Sequence, residues 1–414
     1  MRFLLLLACS LTLLAQGDFY LKDGDTVVFY GDSITDQRLY TTFTEAYVLT
    51  RFPKLNIRFV HSGWPGDTVD GGAGGPIDVR LARDVLAYHP TVVTIMLGMN
   101  DGRYRAFDPA IFKTYSTGYE RIVKVLKEGL PNVRITALEP SAYDDVTRAP
   151  QFDGGYNGVL VRFGSFIREL AEREHLLRAD LNAGLVAMLQ KAYVADSTLS
   201  QKLIPDRVHP AAPTHYVMAE ALLKSWNATA LVSAVEIDAT SRAVRTASNT
   251  SVSVLPGDAN LAWTQLDSAL PLPMERFPSK ELLQLAFASS DVIDNLDRET
   301  LSVGGLPDGQ YTLKVDEQAI VTHSADEWRA GVNLAELDTP MSKQASEVLQ
   351  LIYRHNVLHW ARWHLIQTSF DPPYEKPRSM DSTMTALDTM DAEVAAMARA
   401  RAQPRLHRFE LVPM

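Results

Sequence analysis

A serine after one strand, an asparagine after another, and a histidine three residues beyond an aspartate are the parts of an acyl-transfer site. Here they are Ser33 in "VVFYGDSITD" (27–36), Asn100 in "GMNDG" (98–102), and Asp206 and His209 in "DRVHP" (206–210). A serine hydroxyl is a weak nucleophile until a base takes its proton. His209 can be that base. Asp206 can point the same way from the same turn, hold the imidazole in one tautomer and stabilise its charge. Attack on an ester creates an oxyanion that needs preorganised donors. The backbone N–H groups of Ser33 and Gly66 and the side-chain amide of Asn100 are three such donors. Gly66, in "HSGWPGDT" (61–68), places nothing beyond its backbone in the way. Taken alone, Gly31-Asp32-Ser33 can equally be a plain turn, because Gly is conformationally free and Asp and Ser bond to nearby backbone.

The elements that would position these residues decide between the two readings. Five short apolar runs read as strands: 26–30, 57–60, 91–97, 133–138 and 175–180. Helical patterns fall between them around 41–51, 78–88, 110–128 and 157–173, and 212–228 makes a closing helix. Strands apolar throughout and alternating with helices predict a parallel sheet covered on both faces. Ligands bind such sheets beyond the carboxyl ends of the strands. The first four strands run into Gly31-Asp32-Ser33, "HSGWPGDT", "GMNDG" and "EPSAYDDVTR", and "DRVHP" precedes the closing helix. Unrelated turns would not gather Ser, Gly, Asn, Asp and His on one rim, so an active site is the better reading. Asp32 is expected to hold the nucleophile turn. Asp101, Asp144 and Asp145 are alternative acids, but Asp206 has the better spacing from the histidine. Asp144 and Asp145 read as loop anchors or substrate contacts, and Tyr156 and Asn157 in "GGYNGVL" join them as candidate substrate contacts.

With these blocks in order, the chain resembles the SGNH (GDSL-type) hydrolase family over roughly residues 25–230. "GDSIT" matches the first block with Ser33, "GWPGDT" the second with Gly66, "GMND" the third with Asn100, and "DRVHP" the last with Asp206 and His209. The resemblance implies a flavodoxin-like α/β/α sandwich and ester hydrolysis without a cofactor or metal. His61 stands where the second block often begins with Asn, which bears on local loop support. Arg207 stands where Gly is common and is expected to shape the entrance. "GGAGGPIDVRLARDV", "SAYDDVTR" and "GGYNGVL" resemble a bacterial subgroup with a C-terminal extension.

At 414 residues the chain exceeds one ordinary core, and two domains are expected. A formal net charge of -10 argues against nucleic acid, whose phosphates need clustered Lys and Arg. The opening "MRFLLLLACSLTLLAQG" has one Arg, a short apolar run and small residues at Ala15 and Gly17. It reads as an export signal cleaved near Gly17, placing the protein outside the cell or in the periplasm; a buried N-terminal helix is the alternative. Lipoprotein processing at Cys9 fits poorly, because Leu7 is wrong for it and the preceding run is very short. Cys9 is the only cysteine, so the processed chain has no disulfide, thiol nucleophile or cysteine metal site. The expected organisation is a signal over 1–17, a hydrolase domain over 18–231 and an extension over 232–414 docked on it.

After about residue 232 the pattern changes to period-two strands, with a hairpin over 310–323 turning at Asp316-Glu317. A long helix over 341–366 and a second over 380–402 follow, joined by the rigid "DPPYEKP". Met380, Met384, Leu387, Met390, Val394 and Met397 form one apolar stripe that predicts packing. His355 and His359 have a metal-ligand spacing, but without an accompanying Glu they read, with His364, as partly exposed histidines packed beside Trp360 and Trp363. "GDTVDGGAGGP" lacks the Lys-Ser/Thr of a phosphate loop. The functional expectation is an exported serine esterase cleaving acyl, especially acetyl, esters on carbohydrates. The rivals are a lipid or short-chain esterase and a catalytically idle glycan-binding protein. The expected partner is a small-molecule or glycan ester, and the sequence does not specify an oligomeric state.

Overall fold

A computed structural model describes residues 18–256, 260–274, 279–371 and 374–414. The expected export signal and Cys9 lie outside the described residues. Five parallel strands form the first sheet: β1 Thr26–Gly31, β2 Arg58–Gly63, β3 Val92–Met96, β4 Arg134–Glu139 and β5 Leu177–Asp180, in the order β2-β1-β3-β4-β5. Val27, Val28, Phe29 and Tyr30 are all buried, as expected of a central strand covered on both faces. The connecting helices are α1 Leu39–Arg51, α2 Ile77–Asp84, α3 Pro109–Gly129, α4 Gly155–Glu174, α5 Ala183–Ala195 and α6 Ala212–Ser225. This is the expected α/β sandwich, and the order reverses direction at β1 and β3. Helix α5 was not anticipated from the sequence.

The C-terminal half builds two further sheets. In one, β6 Leu231–Asp238 pairs antiparallel with β7 Ala243–Ser248 and parallel with a later strand, Arg298–Gly304. In the other, the order by residue range is 250–254, 261–267, 406–413, 310–315, 318–324, and every pairing is antiparallel. The hairpin turns at Asp316-Glu317 as expected. Both residues have positive φ, 47° and 68°, which suits a turn that follows the twist of its strands. The strands at 261–267, 298–304 and 406–413 and the helix Lys280–Ala288 were not anticipated. A second core forms here around Trp263, Trp328, Leu313 and Phe409, with Trp263 stacked on Phe409 at 5.3 Å.

One long helix, Pro340–Trp360, belongs to both cores. Its Met341 and Ala345 pack with the C-terminal sheets, while Val348, Leu349 and Ile352 join the core of the parallel-sheet unit. Hydrogen bonds reinforce the join: Asn356 Nδ2 donates to Thr42 Oγ1 at 2.8 Å and Gln403 Nε2 to Pro53 O at 2.7 Å. Past Trp360 the helix does not continue as regular α-helix to 366. It widens into a π-helical turn over Ala361–Gln367. The second long helix, Met380–Arg401, packs beside the first, but its expected Met stripe is only partly right. Met380 and Met384 are buried, whereas Met390 and Met397 are 49% and 56% exposed. The buried line drifts through Val394 to Ala398, as a 3.6-residue period requires. Among the described residues no helix is long and apolar enough to cross a membrane.

Candidate active site

The serine sits where strand β1 stops. Asp32 caps a single helical turn, Ser33–Asp36, and its Oδ1 accepts from Ile34 N at 3.0 Å. The cap places Ser33 in the first turn of a helix, where backbone N–H groups lack helical partners. Asp32 is buried, and that burial pushes its carboxyl up to about 8. An acid raised from an unfolded value of about 3.9 to about 8 keeps a proton in the folded state that the unfolded chain releases, so stability falls as pH climbs between those values. Asp32→Asn keeps the acceptor and removes the titration. It is expected to flatten the decline in melting temperature between about pH 4 and 8. Melting curves of both proteins across that range check it; an unchanged slope means that Asp32 is ionised throughout.

Asp206 and His209 share the loop before α6. His209 Nδ1–H donates to Asp206 Oδ2 at 2.6 Å, and the opposite nitrogen, Nε2, is 2.8 Å from Ser33 Oγ. The Asp206 Oδ1 accepts from the backbone N–H of Val208 and His209 at 2.9 and 2.7 Å. Partial burial would raise the Asp206 carboxyl, but these donors hold it below the usual value. A second histidine fixes the loop from behind. His215 Nε2–H donates to Pro210 O at 3.1 Å while Nδ1 accepts from Tyr40 N at 3.2 Å, and burial pulls this imidazole down to about 3. Gln37 Nε2 also donates to Pro210 O, at 3.2 Å. Arg207 occupies the left-handed region at φ 70°, which accounts for glycine being common there. Its guanidinium donates to Ala149 O at 3.0 Å and tethers this loop to the 144–149 segment.

The loop after β2 brings the second block. A Cβ on Gly63 would lie 2.1 Å from the Asp36 backbone nitrogen, so only glycine lets β2 approach the nucleophile turn. Gly66 has φ +78° with nothing within 4 Å of where a Cβ would be, so its backbone borders open space. The loop is anchored by Arg80, which the sequence reading did not single out. Arg80 is fully buried, bonds Asp67 at 2.6 Å and Ser62 O at 3.0 Å, and pairs with Asp84. Arg80→Ala would leave buried Asp67 without its cation and Asp84 with Arg83 alone, and breaking a buried pair in this way costs about 3–5 kcal/mol. The expected result is a melting temperature lower by roughly 3–6 °C, measured by calorimetry; a drop of less than a degree would show that the network is dispensable.

Asn100 closes the rim. Its Nδ2 donates to Asp67 O at 3.0 Å, and its Oδ1 accepts from Tyr104 OH at 2.8 Å. That pair fixes which way the amide points and leaves one of its two N–H bonds free of those contacts. Tyr104 and Arg103 both carry positive φ, 52° and 55°, a local strain of the sort stored at functional sites. Asp101 is buried, accepts from Val69 N at 2.9 Å, and is pushed up to about 7 by burial. It braces the loop and does not contact His209.

Asp144 and Asp145, the loop anchors or substrate contacts, and the candidate contacts Tyr156 and Asn157 are all bonded within the fold. Asp144 is fully buried and accepts from Val146 N, Thr147 N and Arg148. Asp145 accepts from Asn157 N at 2.9 Å and Arg207 at 3.4 Å. Asn157 accepts from Tyr143 N at 3.1 Å and pairs with Asn182, and buried Tyr156 donates to Met99 O. In this geometry they anchor loops. The extension, by contrast, reaches the rim: His364 stacks on Trp64 at 4.0 Å, and Trp363 Nε1 bonds Asp84 at 2.5 Å. His355 and His359 are buried and not partly exposed as expected.

Residues 29–217 match the GDSL-like lipase/acylhydrolase family. Residues 29–217 are therefore a GDSL-like lipase/acylhydrolase domain. A relative, an acetylxylan esterase of Geobacillus stearothermophilus, is 28% identical over 221 residues, covering 49% of this chain and 93% of the relative. A solved structure of a gut microbial diltiazem-metabolizing enzyme is 26% identical, covers 96% of this chain and 100% of its own, and superposes with a TM-score of 0.83. This GDSL-type protein is therefore a serine ester hydrolase, and its extension is shared with that structure.

Proposed function

We propose that this GDSL hydrolase removes small acyl groups, acetyl above all, from carbohydrate esters, with Ser33 as nucleophile. The observation that carries the reading is the continuous hydrogen-bond chain from Ser33 Oγ through His209 to Asp206. His209 Nε2 takes the serine proton as Oγ attacks the ester carbonyl, and Asp206 stabilises the imidazolium. The oxyanion is held by the backbone N–H of Ser33 and Gly66 and by Asn100 Nδ2. His209 then returns the proton to the leaving alcohol, and water, activated by the same base, releases the acid. An idle binding protein would not need the Ser33–His209 bond.

The acetyl-carbohydrate assignment is supported by the likeness to the acetylxylan esterase. Similarity along almost the whole chain to a diltiazem-metabolizing enzyme supports a second reading, a small-molecule ester as substrate. Initial rates on acetylated sugars, p-nitrophenyl esters of increasing chain length and lysolipids separate the readings. Acetyl sugars should give the highest kcat/KM. A preference for long acyl chains would overturn the assignment, and comparable rates on sugar and aryl acetates would favour the broader substrate class.

A further inference from the structure

We propose that Glu45, His61 and His355 form a binding site for a divalent transition-metal ion of the zinc class, where the C-terminal helix meets the hydrolase unit. The three come from separate elements: Glu45 from α1, His61 from β2 and His355 from the helix Pro340–Trp360. All three are buried, and one ligand atom from each lies within 4.8 Å of the others. Both imidazoles turn Nε2 toward one carboxylate. His61 Nε2 is 3.3 Å from Glu45 Oε2, and His355 Nε2 is 2.9 Å from Oε1 and 3.2 Å from Oε2. Ligand atoms about 2.0–2.2 Å from a tetrahedral zinc ion lie roughly 3.3–3.5 Å apart, so the cluster needs little adjustment.

The outer contacts strengthen the assignment. A metal-binding imidazole usually donates its other N–H to an oxygen that orients the ring. His61 Nδ1 is 2.7 Å from Thr41 Oγ1, and His355 Nδ1 is 2.9 Å from Asp391 Oδ1. Two imidazoles and one carboxylate suit zinc or its neighbours and do not suit calcium or magnesium, which take oxygen donors. A cavity of about 380 Å³, lined by Glu45, His355, Asp388, Asp391 and Arg399 among others, opens beside the cluster. It offers an entry path and room for a water as fourth ligand. The competing arrangement of the same atoms is a metal-free ion cluster with a protonated His355 between Glu45 and Asp391.

Tag-free full-length protein, stripped with a chelator and dialysed, should take up one Zn²⁺ or Co²⁺ per chain when the metal alone is added. Bound Co²⁺ should show the intense visible bands of four-coordinate cobalt, and Zn²⁺ should raise the melting temperature by several degrees. His61→Gln and His355→Gln should abolish uptake, while His89→Gln, at a histidine outside the cluster, should not. Thr41→Val removes only the ring-orienting oxygen and should weaken affinity about 10–100-fold without touching a ligand. No uptake by the wild type would overturn the proposal, as would uptake that survives both histidine substitutions or an affinity unchanged in Thr41→Val.

Discussion

Ser33→Ala is expected to lower kcat by about 10⁶-fold, since removing a serine nucleophile from a working triad costs about that much. Folding should persist. Asp32 still caps the turn through Ile34 N, and alanine fits the first position of a one-turn helix. The His209–Asp206 pair keeps its own bonds to the loop backbone. A fluorophosphonate probe should label the wild type and not the variant, while both melt at nearly the same temperature. Substantial turnover by a folded Ser33→Ala protein would remove Ser33 from the mechanism.

Asn100→Ala is expected to lower kcat by about 10²–10³-fold with KM nearly unchanged. The amide meets negative charge that exists only in the transition state, so ground-state binding loses little. Asn100→Asp should be at least as damaging, because it sets a carboxylate beside the developing oxyanion. If Asn100 only tied the loop through Asp67 O and Tyr104, both variants would melt lower and keep their specific activity. Measuring kcat and melting temperature on the same preparations separates these outcomes.

The parallel sheet was legible because each of its first four strands is an apolar run ending in a polar or glycine motif, and strand ends are where ligands collect. The candidates Ser33, Gly66 and Asn100 come from those strand-end motifs, and Asp206 and His209 from their spacing of three just before α6. Arg80 was not, since a charged residue in an amphipathic helix reads as a solvated face; only the fold reveals two carboxylates closing over it. The Glu45–His61–His355 cluster was hidden by distance, because His355 lies 310 residues after Glu45. Asp144 and Asp145 were visible as special, but the anchoring of Asp145 depends on Asn157 and Arg207 arriving from elsewhere. The strand 406–413, not anticipated, buries every second residue, and its partners lie about a hundred residues or more upstream with nothing local to announce them.

That strand also sets an order of assembly. It lies between strands 261–267 and 310–315, touching both, so the two flanking hairpins have no shared edge until it is present. During synthesis both hairpins leave the ribosome well before the segment that joins them. Each meanwhile exposes an unpaired edge, the kind of surface that recruits foreign strands. All five strands of the parallel sheet are made by residue 180, whereas the antiparallel sheet of 250–324 waits for its last described strand. Chains interrupted before residue 406 should therefore keep an intact β1–β5 sheet beside a split one, and aggregation should begin at the open edges of 261–267 and 310–315.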